Sequence, residues 1–485
     1  MITVQAGDLV RILPQIILSG FAILVMLFEP FLPPSRRTLL GWFSIFGVVA
    51  AAAAAVRTAE SPGLAFGGAI LADHFSLFFT FIFLGIAALC LLGSMDYLQR
   101  DNIHHGEFYA LVLLATVGMC FMAASVDLIM IFLGLEISSI STYILAGFKR
   151  HDPLSNESSL KYFLLGSFAT AFFLYGIAFL YGVTGTTNLL DAAERLGRSG
   201  EALNPSSFVG LAIILMFVGL AFKVSVAPFH VWTPDVYQGA PSPVTAFLST
   251  GPKAAAFAVL LRILLGPLAS ATSVLFWLLW ISAVLTMVIG NLAALLQTNI
   301  KRLLAYSAIA HAGYVLVGMT AGGREGTAAV MFYLAAYALM NIGAFLLVAH
   351  VAGTGERATR IEDFRGLGFT RPGVAACLTV LMLSLAGFPT TAGFLGKFYL
   401  FRAAVHSHLI GLTVIAVLAS VVSVYYYLRL VVVMYMQEGE GEASRAPLPW
   451  ALKIAMAVSV VGILYLGLFP GTFSILAQLA ASTHP

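Results

Sequence analysis

The chain has 485 residues, 60% of them hydrophobic and only 10% charged, where soluble domains carry roughly 25% charged residues. With a mean hydropathy of +0.96 it reads as a polytopic membrane protein without a soluble domain of any size. A formal net charge of +3 over this length offers no basic surface for nucleic acid, and Cys90, Cys120 and Cys377 lie isolated in apolar runs, with no CxxC pair, iron–sulfur spacing or haem-attachment motif.

A membrane-spanning helix needs about 20 apolar residues. The first such run, QIILSGFAILVMLFEPFL, is too long for the core of a signal peptide and has neither a basic segment before Arg11 nor a small-residue cleavage site, so it reads as a retained span. Runs of this length predict an all-α fold of about fourteen helices, centred near Leu24, Val48, Gly85, Thr116, Leu135, Phe172, Phe217, Ala255, Val284, Ala312, Ala338, Gly387, Ser420 and Leu464.

Taken in order, these runs hold a small number of charges. Span five, LIMIFLGLEISSISTYILAGF, carries Glu136 near its middle, with Ser138, Ser139 and Tyr143 beside it. Span six opens with SSLKYFLLG, where Lys161 is either an ordinary positive anchor or a relay between Glu136 and deeper lysines. Span seven runs into FKVSVAPFHVWTPDVY, which places Lys223 in the apolar run, Pro228 at a helix break, and His230 and Asp235 just beyond. Those last two fit an interfacial loop or the continuation of a proton route. Span eight has Thr250 and Lys253 in STGPKAAAFAVLL, and span ten has Tyr306, Ser307 and His311 in LLAYSAIAHAGYVLVGM. The histidine is equally suited to a hydrogen-bonded core position or to passing a proton. Span twelve, GVAACLTVLMLSLAGFPTTAGFLGKFYLF, combines Pro389 with Lys397.

A proline inside a helix removes one backbone donor and displaces a carbonyl, and in hydrocarbon the freed groups must be surrounded by protein or water. The broken helices seven and twelve are five spans apart. Five is odd, so the chain crosses in opposite directions at the two places, as an inverted-topology repeat requires. The expected organisation is three helices in 1–105, a first repeat of helices four to eight in 106–270, an inverted repeat of helices nine to thirteen in 271–437, and a last helix in 438–485.

Each of Glu136, Lys223, Lys253 and Lys397 costs roughly 2.5–3.5 kcal/mol at a helix centre before pairing. One ion pair at about 4 Å and an effective dielectric near 20 is worth about 4 kcal/mol. A Glu136–Lys223 pair that opens and closes would therefore govern when the lysine carries its proton. Orientation follows from Lys and Arg in the loops. With the N-terminus outside, inward loops hold fourteen (Arg445 among them), and outward loops and their edges hold six: Arg57, Arg195, Arg198, Arg262, Arg324 and Arg402. Both termini are expected on the outer side.

The stretches LEISSISTYIL, SLKYFLLGSFATAFFLYG, YGVTGTTNL, FKVSVAPFHVWTPDVYQGAPSPVTAF, KRLLAYSAIAHAGY and LAGFPTTAGFLGKFYLF, with LPQIIL near the start, resemble the antiporter-like subunits of respiratory complex I over nearly the whole chain. Within that family YGVTGTTNL and LPQIIL favour the subunit N type, and Lys397 stands where the subunit M type resembles a glutamate. The resemblance implies proton translocation in a bacterial cytoplasmic membrane through half-channels joined by Glu136, Lys223, Lys253 and Lys397, with His311 and Lys161 matching further family positions. It implies no cofactor in this subunit, flavin, iron–sulfur clusters and quinone in partner subunits, and membrane-arm neighbours of the M and K types. Multisubunit cation/proton antiporters and energy-converting hydrogenases share the fold and the seventh-span block; a quinone-binding redox subunit is a further reading.

Overall fold

In hydrocarbon a backbone finds hydrogen-bond partners only within itself, so each long apolar run becomes a helix. The computed structural model describes residues 5–199, 208–266, 272–438, 444 and 446–482. The main helices are α1 (Leu13–Phe28), α2 (Thr38–Ala59), α3 (His74–Arg100), α4 (Gly106–Ala124), α5 (Leu128–Ala146) and α6 (Pro153–Thr184). They continue as α7 (Phe208–Val224), α8 (Thr233–Gly239), α9 (Ser242–Leu248), α10 (Gly251–Leu260), α11 (Thr272–Leu295), α12 (Ile300–Ala321) and α13 (Gly323–Val351). The last are α14 (Pro372–Ala386), α15 (Ala392–His406), α16 (Ile410–Met436), α17 (Trp450–Leu468) and α18 (Gly471–Ser482). A two-stranded antiparallel hairpin, Gly63–Ala65 with Ile70–Ala72, closes the loop before α3.

Twelve stretches among the described residues are helical, long and apolar enough to cross a membrane, and α7 and α14 are shorter apolar helices. Each of these two is followed by a break and a second short helix, α8 or α15, so the expected seventh and twelfth spans are both interrupted. The eighth span is interrupted as well, between α9 and α10 at Ser249–Thr250, and α10 ends in a π-helical turn, Leu261–Leu265. The two prolines marked the first two breaks; the third lies just before Gly251-Pro252, which open α10.

Two helix starts are closed in the same way. Asp127 caps α5 through the amides of Ile129 and Met130, and Asn299 caps α12 through those of Lys301 and Arg302. Asp127 also pairs as a β-bridge with Asn188, and Asn299 with Arg360; 299 − 127 and 360 − 188 both equal 172. The flanking bonds match too: Leu128 N to Thr187 O and Leu189 N to Val126 O in one place, Ile300 N to Thr359 O and Ile361 N to Thr298 O in the other.

Close helix approach uses small residues, as is common in membranes. Between α4 and α5, a Cβ added to Gly134 would stand 2.9 Å from the carbonyl oxygen of Gly118. A neighbouring face of α5 presents Ile137, Ile140 and Ile144, which are exposed.

Arg262 departs from its expected place at an outer loop edge. It is 0% exposed and donates to both carboxylate oxygens of Asp73 (3.2 and 3.0 Å) and to the carbonyl of Ala123 (3.0 and 2.8 Å). A buried guanidinium needs such a complete set of acceptors, and the apolar neighbours in sequence gave no sign of them. The side chain of Arg198, the residue Arg445 and the boundary at 270/271 lie outside the described residues.

Candidate functional site

Helix α7 packs along α6 and ends at Val224, which brings Lys223 against the tyrosines of α5 and α6. Its ammonium donates to the Tyr143 hydroxyl at 3.2 Å and lies 4.8 and 5.1 Å from the ring centres of Tyr143 and Tyr162. The ring faces attract the cation where water is scarce. The break behind it is held by side chains: Trp232 Nε1 donates to the Phe222 carbonyl (3.0 Å), Thr233 to the Ser225 hydroxyl (2.9 Å), and Ala227 N to Thr286 of α11 (3.0 Å). Trp232 also stacks on Tyr162, centroids 4.6 Å apart.

Glu136 does not pair directly with Lys223. Among the described residues no ion pair joins them within 4 Å, and Glu136 Oε1 is buried without a hydrogen-bond partner. Tyr143 occupies the position of direct partner to the lysine, so the structure holds this pair open.

Lys253, on the first turn of α10, is 2% exposed and donates to the Ala308 carbonyl of α12 at 2.9 Å. One turn on, His311 places Nδ1 2.5 Å from the Tyr333 hydroxyl of α13 and Nε2 3.0 Å from the Tyr427 hydroxyl of α16, and Tyr427 in turn bonds Ser307. Neutral imidazole has one donor and one acceptor nitrogen, and a hydroxyl can serve either. Lys397, on α15, turns back across the second break and donates to the carbonyls of Leu385 (3.1 Å) and Ala386 (3.0 Å), the open end of α14. It also donates to Ser420 at 3.0 Å and sits 5.0 Å from the ring centre of Tyr314. The lysine thus satisfies the carbonyls that the helix break leaves without amides.

Lys161 takes its carboxylate partners at the end of α6 and bonds to neither Glu136 nor Lys223. It is 40% exposed and pairs with Asp235 and Glu157, both at 2.6 Å, because its long stem carries the ammonium to the rim of α6. Asp235 is shared with Arg302 of α12 at 2.8 Å, and His230 Nδ1 is buried without a partner. Tyr306 is half-buried and bonds to no member of the series.

Several contributors were not singled out from the sequence. Tyr333, Tyr314 and Tyr427 look like ordinary aromatics in apolar helices. Glu356 lies in the loop VAGTGERATRIEDF, yet its carboxylate is enclosed: it accepts from Lys301 (2.6 Å), Tyr97 (2.6 Å) and the amide of Ser242 (2.7 Å). Burial on its own would raise the Glu356 pKa, but Lys301 and Lys149, with the Tyr97 hydroxyl, bring it down to about 2. Among the described residues no three His, Cys, Asp or Glu side chains are grouped to hold a metal ion.

Residues 125–423 match the family model described as NADH:quinone oxidoreductase/Mrp antiporter, TM. A relative from Solibacter usitatus, NADH-quinone oxidoreductase subunit N 1, is 50% identical over 96% of this chain and 95% of its own. The chain belongs to the subunit N family of NADH-quinone oxidoreductases. A subunit N from Trichlorobacter lovleyi is 48% identical over 98% of this chain and 97% of its own. Among solved structures, a chain of Thermus thermophilus respiratory complex I matches with a TM-score of 0.79 at 38% identity, covering 96% of this chain and 99% of that one. A chain of an archaeal membrane-bound sulfane sulfur reductase matches with a TM-score of 0.86 at 28% identity over 98% and 97%. A chain of the Mrp complex from Dietzia, at 22% identity and a TM-score of 0.83 over 98% and 97%, shares the fold of the subunit N family.

Proposed function

We infer that this chain is a proton-translocating membrane-arm subunit of NADH:quinone oxidoreductase, driven by quinone reduction in other subunits. Family membership supplies the assignment, and one observation carries the mechanism. Three ammonium groups, Lys223, Lys253 and Lys397, are enclosed within the membrane-spanning helices and held by hydroxyls, carbonyls and ring faces, with no carboxylate within 4 Å among the described residues. No carboxylate touches them, so each can take a proton up or pass one on as neighbouring charges change.

In this reading Asp235, Lys161 and His230 line an inner mouth, Glu136 modulates Lys223 across Tyr143, and Lys253 passes the proton toward His311. Tyr333 and Tyr427 hold the imidazole, and Lys397 is the last carrier before the outer side. The breaks at Pro228 and Pro389 give water access to the lysines at their edges. Counting each broken helix as one crossing gives fourteen spans. The equal 172-residue interval between the two capped helix starts supports inverted repeats at 106–270 and 271–437. Both termini then face the outer side of a bacterial cytoplasmic membrane. Flavin, iron–sulfur clusters and quinone belong to partner subunits, with M-type and K-type subunits as membrane-arm neighbours.

The test is NADH-driven proton uptake by inverted vesicles containing the assembled complex. Lys223→Ala and Glu136→Ala are expected to lower both pumping and quinone reduction. Unchanged pumping in variants that assemble normally would remove both residues from the route.

A further inference from the structure

Beside the Asp235 cluster, with Gln238 sharing Arg302 with Asp235, a cavity of about 80 Å³ is lined by Lys149, Asp152, Gln238, Lys301, Gly355 and Glu356, among others. A water needs about 10–15 Å³ of such space, so several fit. The Glu356–Lys301 pair forms its wall, with Lys301 also donating to the Ala240 carbonyl at 2.7 Å. From this wall toward His311 stand four polar side-chain atoms that are buried and have no hydrogen-bond partner: Ser242 Oγ, Tyr237 OH, Asn341 Oδ1 and Tyr337 OH. Ser242, Tyr237 and Asn341 are 0% exposed and Tyr337 is 3% exposed.

These atoms form a series. Ser242 meets Glu356 through its own amide at 2.7 Å. Tyr237 ends α8 and packs against Phe345 of α13, centroids 6.0 Å apart. One turn along α13, Asn341 donates to Ser249 at the α9–α10 interruption, two residues before the turn that carries Lys253. A further turn on, the Tyr337 ring lies 5.1 Å from the His311 ring, and beyond it Tyr333 bonds that histidine. The spacing 333, 337, 341 puts all three on one face of α13. A buried polar atom without a partner is costly, and four of them, starting at a polar cavity, are what a file of waters would satisfy.

We propose that this series is a second water-filled inlet, which carries protons from the inner surface along α13 to His311 and Lys253 without passing Lys223. It rests on the proton-translocating reading above and adds a route to it. A proton entering the cavity is handed from water to water past the Ser242, Tyr237 and Tyr337 hydroxyls and reaches the acceptor ring nitrogen of His311 through the tyrosine hydroxyl bonded to it, which takes up the incoming proton as it gives up its own. Each hydroxyl releases one proton as it accepts another, so no co-reactant is consumed. Glu356 acts as a positioning residue: it holds Lys301, Tyr97 and the start of α9 around the mouth.

The experiment compares Tyr337→Phe, Asn341→Leu and the double variant Tyr237→Phe/Ser242→Ala with Lys253→Ala and Lys223→Ala in the assembled complex. NADH-driven proton uptake is expected to fall in the three inlet variants, though less than in Lys253→Ala, where both routes meet, with normal amounts of assembled complex. If Lys253→Ala and Lys223→Ala lose pumping while the inlet variants pump like the unaltered chain, the inlet is overturned and the general reading stands. If none of the five loses pumping, the general reading itself fails. A second readout does not depend on turnover: Ser242→Cys should react with a small charged methanethiosulfonate reagent added to the inner face, and a thiol that stays unmodified there overturns a hydrated inlet.

Discussion

At the scale of single residues, charge placement decides which contacts matter. Arg262 and Asp73 satisfy one another far from water, and the ring of Phe75 lies 4.6 Å from the guanidinium. Removing one member of such a pair leaves a buried charge, at a cost of about 3–5 kcal/mol. Arg262→Met should therefore lower the denaturation temperature in detergent sharply, and Asp73→Asn in the same chain should restore much of it, because asparagine still caps α3. Equal loss in the single and double variants would show that packing, and not the orphaned charge, is responsible. Glu356 behaves differently because it lies in a loop. Its pKa in the folded chain is about 2, against an ordinary value of 4.5. A depressed carboxylate contributes stability that is complete above about pH 4.5 and is lost as pH falls toward 2. Thermal denaturation followed across that window should show a fall in stability that Glu356→Gln abolishes; an identical pH dependence in the variant would contradict it.

At the scale of elements, each broken helix carries a buried lysine near its break, and Lys397 bonds across its own. The turn between α14 and α15 is tight enough that a Cβ on Gly393 would collide with the Ser384 carbonyl, a backbone atom that cannot move aside easily. Gly393→Ala should push α15 away from α14 and take Lys397 from the carbonyls it holds. Proton pumping is expected to drop although position 393 carries no titratable group; pumping equal to the unaltered chain would show that the turn yields. The breaks at Pro228 and Pro389 were legible because proline beside lysine is conspicuous in an apolar run. The interruption before Lys253 was less so, since Gly251 and Pro252 also suit an ordinary helix start. Tyr333, Tyr337 and Asn341 were illegible for another reason. Their roles depend on which face of α13 meets α12, and a helix buried nearly all round has no hydrophobic periodicity to declare that face.

At the scale of the whole molecule, the all-helical membrane fold follows from apolar length, a local property of the sequence: about fourteen spans were expected, and twelve stretches among the described residues are long and apolar enough to cross. Glu356 did not follow, because its enclosure needs α3, α9 and α12 to converge on one loop. The expected orientation can be measured directly. Alkaline phosphatase joined after Pro485 should be active and a green fluorescent fusion there dark; the reverse pattern would invert every loop.

The paired staples at Asp127–Asn188 and Asn299–Arg360 bear on how such a chain is made. Each joins positions 61 residues apart, since 188 − 127 and 360 − 299 are equal. Neither needs any residue from the other half of the chain. A ribosome that has delivered the segment through Asn188 has already supplied everything the first staple requires, while His311 and Lys397 are still unmade. Each staple can thus close during insertion with what has already been made, the first of them before the helices that carry His311 and Lys397 exist.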